Sequence, residues 1–328
     1  MSNLLQFIFR LSKSSKKLAL FRKSPLAVSQ RAGLTRKEQK AVLSRDPDRI
    51  RGAAGSPALR ARKETLKRNS SKGSLDVVGT GIMAIVEITS EAEDCIRAAD
   101  KVLYCVANPV TEEWIQSAGM SAESLSGLYA PNKSRRVTYG EMVQRILHFV
   151  RKGLRVCAVF YGHPGFFCFP GHEAIRQARA EGFVARMLPG ITAFDCFVAD
   201  LGIDPGTNGW QSFLADDFLV YSRRFNPRIP LVLWQPSHVG EFRAPSSECN
   251  RRSLRILTRE LRKHYPANHE VIVYEASQFV VAEPVVQRIR LARLPAARMN
   301  PFSMLYVPPR SRARESANDA ALVRARRP

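Results

Sequence analysis

The residues best suited to chemistry in this chain stand in loops that follow short apolar runs. Val77-Val78 leads into Gly79-Thr80-Gly81, and glycines after a strand let the backbone approach a ligand or simply make a tight turn. The third glycine of a dinucleotide fingerprint and the Lys of a phosphate-binding loop are both missing. Val159-Phe160 leads into Tyr161-Gly162-His163-Pro164-Gly165-Phe166-Phe167. Ligands of open α/β sheets bind just beyond the carboxyl ends of strands, although a tight loop with a structurally bonded His fits the same residues. A third loop, Leu188-Pro189-Gly190-Ile191-Thr192-Ala193, follows another apolar run and opens a helix at its polar end, with Thr192 and Ala193 at the turn. Three such loops after three strands carry more information than any one of them.

The fourth feature is Tyr129 and Tyr139 flanking Lys133-Ser134-Arg135-Arg136, just before a helix. Read blandly, it is a solvated basic loop with one Tyr packed on a sheet. Read chemically, a guanidinium beside a phenol favours phenolate and brings a pKa of about 10 toward the range of a general base. The six His show no ligand spacing with Cys or acids, so no metal is expected, and no Ser occupies a G-x-S-x-G elbow.

Positioning these loops calls for strands alternating with helices. From Leu75 the pattern gives strands at Leu75–Val78, Lys101–Val106, Arg155–Phe160 and Phe183–Met187, with helices at Ser90–Ala99, Tyr139–Arg151 and Gly171–Glu181. That alternation predicts a largely parallel α/β sheet. Beyond residue 210, strands Leu231–Gln235, Val271–Tyr274 and Ser303–Val307 surround a helix at Ser253–His264. Ahead of all this, residues 1–52 read as a small helical unit. Leu4, Leu5, Phe7, Ile8 and Leu11 recur at helical spacing, Pro25 restarts a helix, and Thr35 with Glu38 forms a capping-box pattern. About fifty residues make a thin core, so this unit should pack on something else. Residues 53–73 read as a basic linker and 310–328 as an Arg-rich tail.

With 45% hydrophobic and 24% charged residues, the 328-residue chain is too apolar for a disordered protein. It has no run of apolar residues long enough to span a membrane. The net charge of +22 suggests nucleic acid until it is located: 1–74 carry +15, 310–328 carry +4, and the body between only +3. Basic ends bind acidic partners or merely solubilise. The six Cys lack CxxC pairs and read as buried free thiols of a reducing, cytoplasmic protein.

Together VVGTGI (77–82), VFYGHPGFF (159–167), RMLPGITAFDC (186–196) and ADLGIDP (199–205) resemble the tetrapyrrole-methylase superfamily of S-adenosylmethionine-dependent enzymes. With NKSRRVTY (132–139) and SMLYVPP (303–309), the similarity falls in the borosin-type peptide backbone α-N-methyltransferases, over roughly 74–309. The resemblance implies a two-part α/β class III methyltransferase fold, a homodimer, and S-adenosylmethionine as cofactor. It implies that Tyr139 is the general base, that Arg135 favours its phenolate, and that Tyr129 orients the amide. It places Tyr161, His163, Phe166 and Phe167 on the cofactor loop, with Gly79, Gly81, Thr192, Ala193, Gln235, Ala276, Ser303 and Met304 as further contacts, the last through its backbone.

The helical residues 1–52 resemble the clasp, or leader-binding domain, that borosin systems attach to their peptides. In the fungal arrangement that unit follows the methylase and precedes a hydrophobic core peptide; here it comes first. The expected substrate is therefore a peptide on a separate precursor, or an atypical segment within 53–74. An rRNA methyltransferase of the same fold, or an inactive peptide-binding adaptor, are the alternatives. NKSRRVTY disfavours the first, and intact Arg135, Tyr139 and YGHPG the second.

Overall fold

The computed structural model describes residues 3–54, 73–118, 121–240 and 249–310. The expected linker and tail lie, but for Ala53, Ala54, Gly73 and Arg310, outside the described residues. Five short helices come first: α1 (Asn3–Ser12), α2 (Ser15–Lys23), α3 (Pro25–Arg31), α4 (Arg36–Leu43) and α5 (Pro47–Ala54). In α1 the buried Leu4, Leu5, Phe7, Ile8 and Leu11 fall on one stripe, as 3.6 residues per turn requires. Thr35 and Glu38 form the expected capping box on α4. Glu38 also accepts from the backbone N of Leu4 at 3.3 Å, which ties α4 to the start of α1.

The next stretch holds β1 (Ser74–Gly79), α6 (Ser90–Ala98), β2 (Lys101–Cys105), α7 (Pro109–Ala118), β3 (Ala122–Ser124), α8 (Arg135–Arg151), β4 (Arg155–Phe160), α9 (Phe169–Ala180), β5 (Val184–Met187) and α10 (Ala193–Leu201). Its five strands form one sheet in the order β3-β2-β4-β1-β5, every pair parallel. The strands alternate faces with period two. Leu75, Val77, Leu103, Val156, Ala158 and Phe160 join a core with α8 and α9, while Val78, Val102, Tyr104, Cys157 and Val159 join the opposite one. That opposite core also holds Leu4, Ile8, Phe21 and Ile50, so the N-terminal helices cover the sheet's second face. Trp114 of α7, 2% exposed, stands in this shared core. Trp114→Ala is expected to cost about 3–5 kcal/mol and lower the melting temperature by several degrees, read by calorimetry.

By its internal contacts the chain divides into two compact units, the first being 3–200 with 276–284. The second holds α11 (Pro205–Asn208), β6 (Gln211–Leu214), α12 (Ala215–Val220), β7 (Leu231–Trp234), α13 (Arg251–Leu261), β8 (Glu270–Glu275), β9 (Val285–Arg290) and β10 (Met304–Val307). Its sheet runs β6-β7-β10-β8-β9, and only β6–β7 is parallel. A largely parallel sheet therefore describes the first unit alone. In β9 the alternation of partly buried and exposed residues marks a one-sided edge strand.

Two boundaries differ for clear reasons. Helix α8 begins at Arg135 and not at Tyr139, because Ser134 caps it by accepting from Val137 N at 3.3 Å. Helix α7, absent from the sequence reading, is started by Asn108 accepting from Thr111 N at 2.9 Å, with Pro109 next in line. Of the six thiols, all free, only Cys157 is buried; the other five are half-buried. No helix among the described residues is long and apolar enough to cross a membrane.

Candidate active site

In the first sheet, β1 is followed by a crossover toward β2 and β4 by one toward β5, so the adjacent β1 and β4 send their connections to opposite sides. A crevice beyond their carboxyl ends is the place such a sheet offers a ligand. The loops after β1 and β4 meet there directly. Gly81 N donates to Gly162 O at 3.3 Å and Gly162 N to Gly81 O at 2.9 Å. Both glycines have positive φ, 68° and 71°, where any side chain is strained. At Gly79 an added Cβ would lie 2.0 Å from Gly162 O, so here the backbones touch. The third loop joins them: a Cβ on Gly190 would meet Gly162 O and His163 Cα at 3.2 and 3.3 Å.

The His163 ring shapes its own loop, Nδ1 accepting from Gly165 N at 2.9 Å. Beside it Phe166 and Phe167 are 43% and 46% exposed with their rings edge to face, and Phe167 takes a φ of 53° that few non-glycine residues adopt. Large aromatics held outward on a strained backbone offer π faces to a ligand. Thr192 caps α10. Its N and Oγ1 donate to Asp195 at 2.7 and 2.8 Å, while Oγ1 accepts from Phe194 N and Asp195 N. That hydroxyl is thus committed to the helix, and the T-x-x-D spacing that signals it stands in the sequence. Tyr161 N donates to Cys105 O at 3.2 Å, linking this loop to β2.

Arg135 and Tyr139 lie one turn apart on α8, which puts them on one face. Lys133 is occupied by Glu141 at 2.6 Å. Tyr129 and Tyr139 pack against one core cluster, and the Tyr129 pKa is raised, chiefly by burial, then by Cys105 and Tyr139, with the Arg135 charge pulling the other way. All three side chains of the expected trio are therefore brought together. Phe169, which sequence reasoning missed, stacks on Tyr139 with ring centres 6.3 Å apart. Only the helical spacing from Cys168 onward could have signalled it. Cys105 and Cys168 pack with both tyrosines, and burial pushes both thiols up, Cys168 to about 12. Neither is set up as a nucleophile.

Also missed were Glu87 and Gln278. Glu87 accepts from Ile82 N and Met83 N at 2.7 and 3.0 Å and holds the loop after Gly81. Next to it Ile85, a β-branched residue, takes φ 71°. Gln278 is fully buried, its carbonyl accepts from Ala84 N at 2.9 Å, and neither side-chain amide atom has a partner. An unpaired buried amide costs about 1–3 kcal/mol. Gln278→Met is expected to raise the melting temperature of the ligand-free protein, and a lower value would show that an ordered water satisfies the amide.

The remaining expected contacts start from the second sheet. Gln235 follows β7 with a left-handed φ of 53° and an exposed side chain, Met304 is the first residue of β10 and pairs with Trp234 and Tyr274, and buried Ser303 hydrogen-bonds Asn300. Buried Ala276 follows directly on Glu275 of β8.

For S-adenosylmethionine the first unit's donor set fits: glycine backbone, phenol and outward aromatic faces, with no Lys or Arg on these three loops to demand a phosphate. A sulfonium cation suits aromatic faces.

Residues 74–278 match the model of the tetrapyrrole (corrin/porphyrin) methylases. The chain is 41% identical over 244 residues to the methyltransferase/ribosomally synthesized cyclic peptide dendrothelin A precursor of Dendrothele bispora, covering 73% of this chain and 58% of that one. It is 40% identical to the omphalotin A precursor of Omphalotus olearius, with the same shares. A type I borosin cyclic peptide precursor of Coprinopsis marcescibilis is 39% identical, over 74% and 64%. The chain thus spans about three fifths of these relatives' length. In fold it is similar to the uroporphyrin-III-C-methyltransferase of Thermus thermophilus, with TM-score 0.52, 18% identity, and shares of 73% and 93%. A diphthine synthase gives TM-score 0.52, 15% identity, and shares of 73% and 91%.

Proposed function

Because the chain belongs to the tetrapyrrole (corrin/porphyrin) methylase family, we propose that it is an S-adenosylmethionine-dependent enzyme that methylates backbone nitrogens of a borosin-type peptide on a separate precursor. The observation that carries this reading is the placing of Arg135 and Tyr139 one turn apart on α8 beside the buried Tyr129, in a chain about 40% identical to proteins named methyltransferase/ribosomally synthesized cyclic peptide precursors.

S-adenosylmethionine, when bound by Tyr161, His163, Phe166, Phe167 and the Gly79 and Gly81 backbone, supplies an electrophilic methyl group. Thr192, Ala193, Gln235, Ala276, Ser303 and Met304 are proposed as its further contacts. A peptide N–H is a poor nucleophile because its lone pair is delocalised into the carbonyl. Tyr139 takes that proton at its hydroxyl oxygen, acting as phenolate. Tyr129, held protonated by burial, orients the amide by hydrogen bond. The Arg135 guanidinium, fixed at the first turn of α8, stabilises the negative charge that the amide oxygen gains. Tyr129→Phe removes the orienting donor, so methyl transfer is expected to slow by about tenfold while cofactor affinity is kept, read by product mass against time and calorimetric titration. A rate equal to the unsubstituted protein's would remove Tyr129 from this role.

The proposal includes a homodimer, a cytoplasmic location, and a division into a clasp-like 1–52, a linker 53–73, a methylase 74–309 and a tail 310–328. It is tested by weighing the protein, whole and as peptides, with and without S-adenosylmethionine. An unmodified chain that binds the cofactor supports action on another peptide. Steps of one methylene on the chain's own nitrogens would replace that version with self-methylation.

A further inference from the structure

The near-neutral body of the chain is not evenly charged. Between residues 251 and 263 stand six basic residues and one acid. Helix α13 buries Leu254, Leu257 and Leu261 and turns Arg251, Arg255, Arg259 and Arg262 outward, at spacings of four, four and three, along one side. Arg251 donates to Pro295 O at 3.0 Å, fastening the helix to the short turn Leu291–Ala296. Between them runs an open groove of about 400 Å³ lined by Arg255, Thr258, Arg259, Arg262, Lys263 and Pro295. Lys263 has Glu260 at 2.6 Å, whereas Arg255, Arg259 and Arg262 have no carboxylate partner among the described residues. Three unpaired guanidiniums in a row repel one another, and an anion relieves that repulsion with bidentate hydrogen bonds.

The charge of the chain selects the occupant. The stretches 53–74 and 310–328 are themselves basic, and a second copy carries the same +22, so none of these complements the groove. A nucleic-acid strand would meet the guanidiniums, but the lining residues include no aromatic ring on which a base could stack. Carboxylates spaced along an extended peptide need only the guanidiniums. We infer that the groove between α13 and the Leu291–Ala296 turn docks an acidic segment of the peptide substrate. This rests on the proposed action upon a separate precursor. A substrate that is not tethered needs a holding site apart from the reacting amide, which raises its effective concentration there.

The test is fluorescence anisotropy on the full chain with a labelled octaglutamate peptide, competed by a twelve-nucleotide oligouridylate. Arg255→Glu/Arg259→Glu/Arg262→Glu is compared with Arg312→Glu/Arg324→Glu/Arg326→Glu in the tail, and Arg→Gln at the three groove positions serves as a milder variant. Melting curves confirm folding, since exposed side chains away from the core are replaced. Groove variants are expected to bind the peptide at least roughly tenfold more weakly, and tail variants within about twofold of the unsubstituted protein. Equal losses in both sets, no loss in the groove set, or stronger binding of the oligouridylate would overturn the inference. Calorimetric titration with S-adenosylmethionine on the same samples separates the two proposals. Absence of cofactor binding sinks the methyltransferase reading and leaves the peptide result standing.

Discussion

Tyr139→Phe is expected to lower the rate of methyl transfer by roughly 100- to 10,000-fold, the usual contribution of a positioned general base, while cofactor affinity stays within about twofold. The substitution keeps the ring, and with it the stacking on Phe169 and the packing among the tyrosines and cysteines of the α8–α9 face. What it removes is the hydroxyl proposed as the general base. Arg135→Ala should give a comparable loss, because no other cation of α8's first turns stands on that face: Arg136 points to solvent, and Lys133 is bound to Glu141. The measurements are product mass against time and calorimetric titration with S-adenosylmethionine. Loss of cofactor binding in either variant would move that residue from chemistry to the cofactor site. The two effects should not add, since both act on one proton transfer.

The second large effect is expected at Gly79. An alanine there would set its Cβ 2.0 Å from Gly162 O and 2.8 Å from Pro164, and neither atom belongs to a flexible side chain. Either the strand or the YGHPG loop must shift, so the paired Gly81–Gly162 hydrogen bonds cannot both survive. We expect a loss of roughly 1–3 kcal/mol or more in stability together with at least tenfold weaker cofactor binding. Gly140 supplies the control. It lies inside α8, between Tyr139 and Glu141, with nothing within 4 Å of an added Cβ. Gly140→Ala should therefore stabilise the protein by about 0.5–1 kcal/mol, the ordinary gain of Ala over Gly in a helix. Equal melting temperatures for Gly79→Ala and Gly140→Ala would contradict the contact described between the two loops.

Much of this protein was determined by its sequence alone. Short apolar runs located four of the five strands of the first sheet, β3 excepted, and the 3.6-residue period located the stripe of α1, because burial imposes those patterns whatever the neighbour. Thr35 and Glu38 marked a helix start through a bond pattern that is local to four residues. The loops after β1, β4 and β5 were legible by their glycines: Gly81 and Gly162 take left-handed angles, and Gly79 and Gly190 lie where an added Cβ would crowd Gly162 O. Tertiary structure decided the rest. That Phe169 stacks on Tyr139 and that Gly81 pairs with Gly162 are contacts between residues far apart in the chain, fixed by strand order and not by spacing. The second sheet's antiparallel pairing was hidden for the same reason: an isolated strand pattern carries no direction. The charge of the body, near zero as a sum, became a basic groove only when α13 turned its leucines inward and left its arginines together outside.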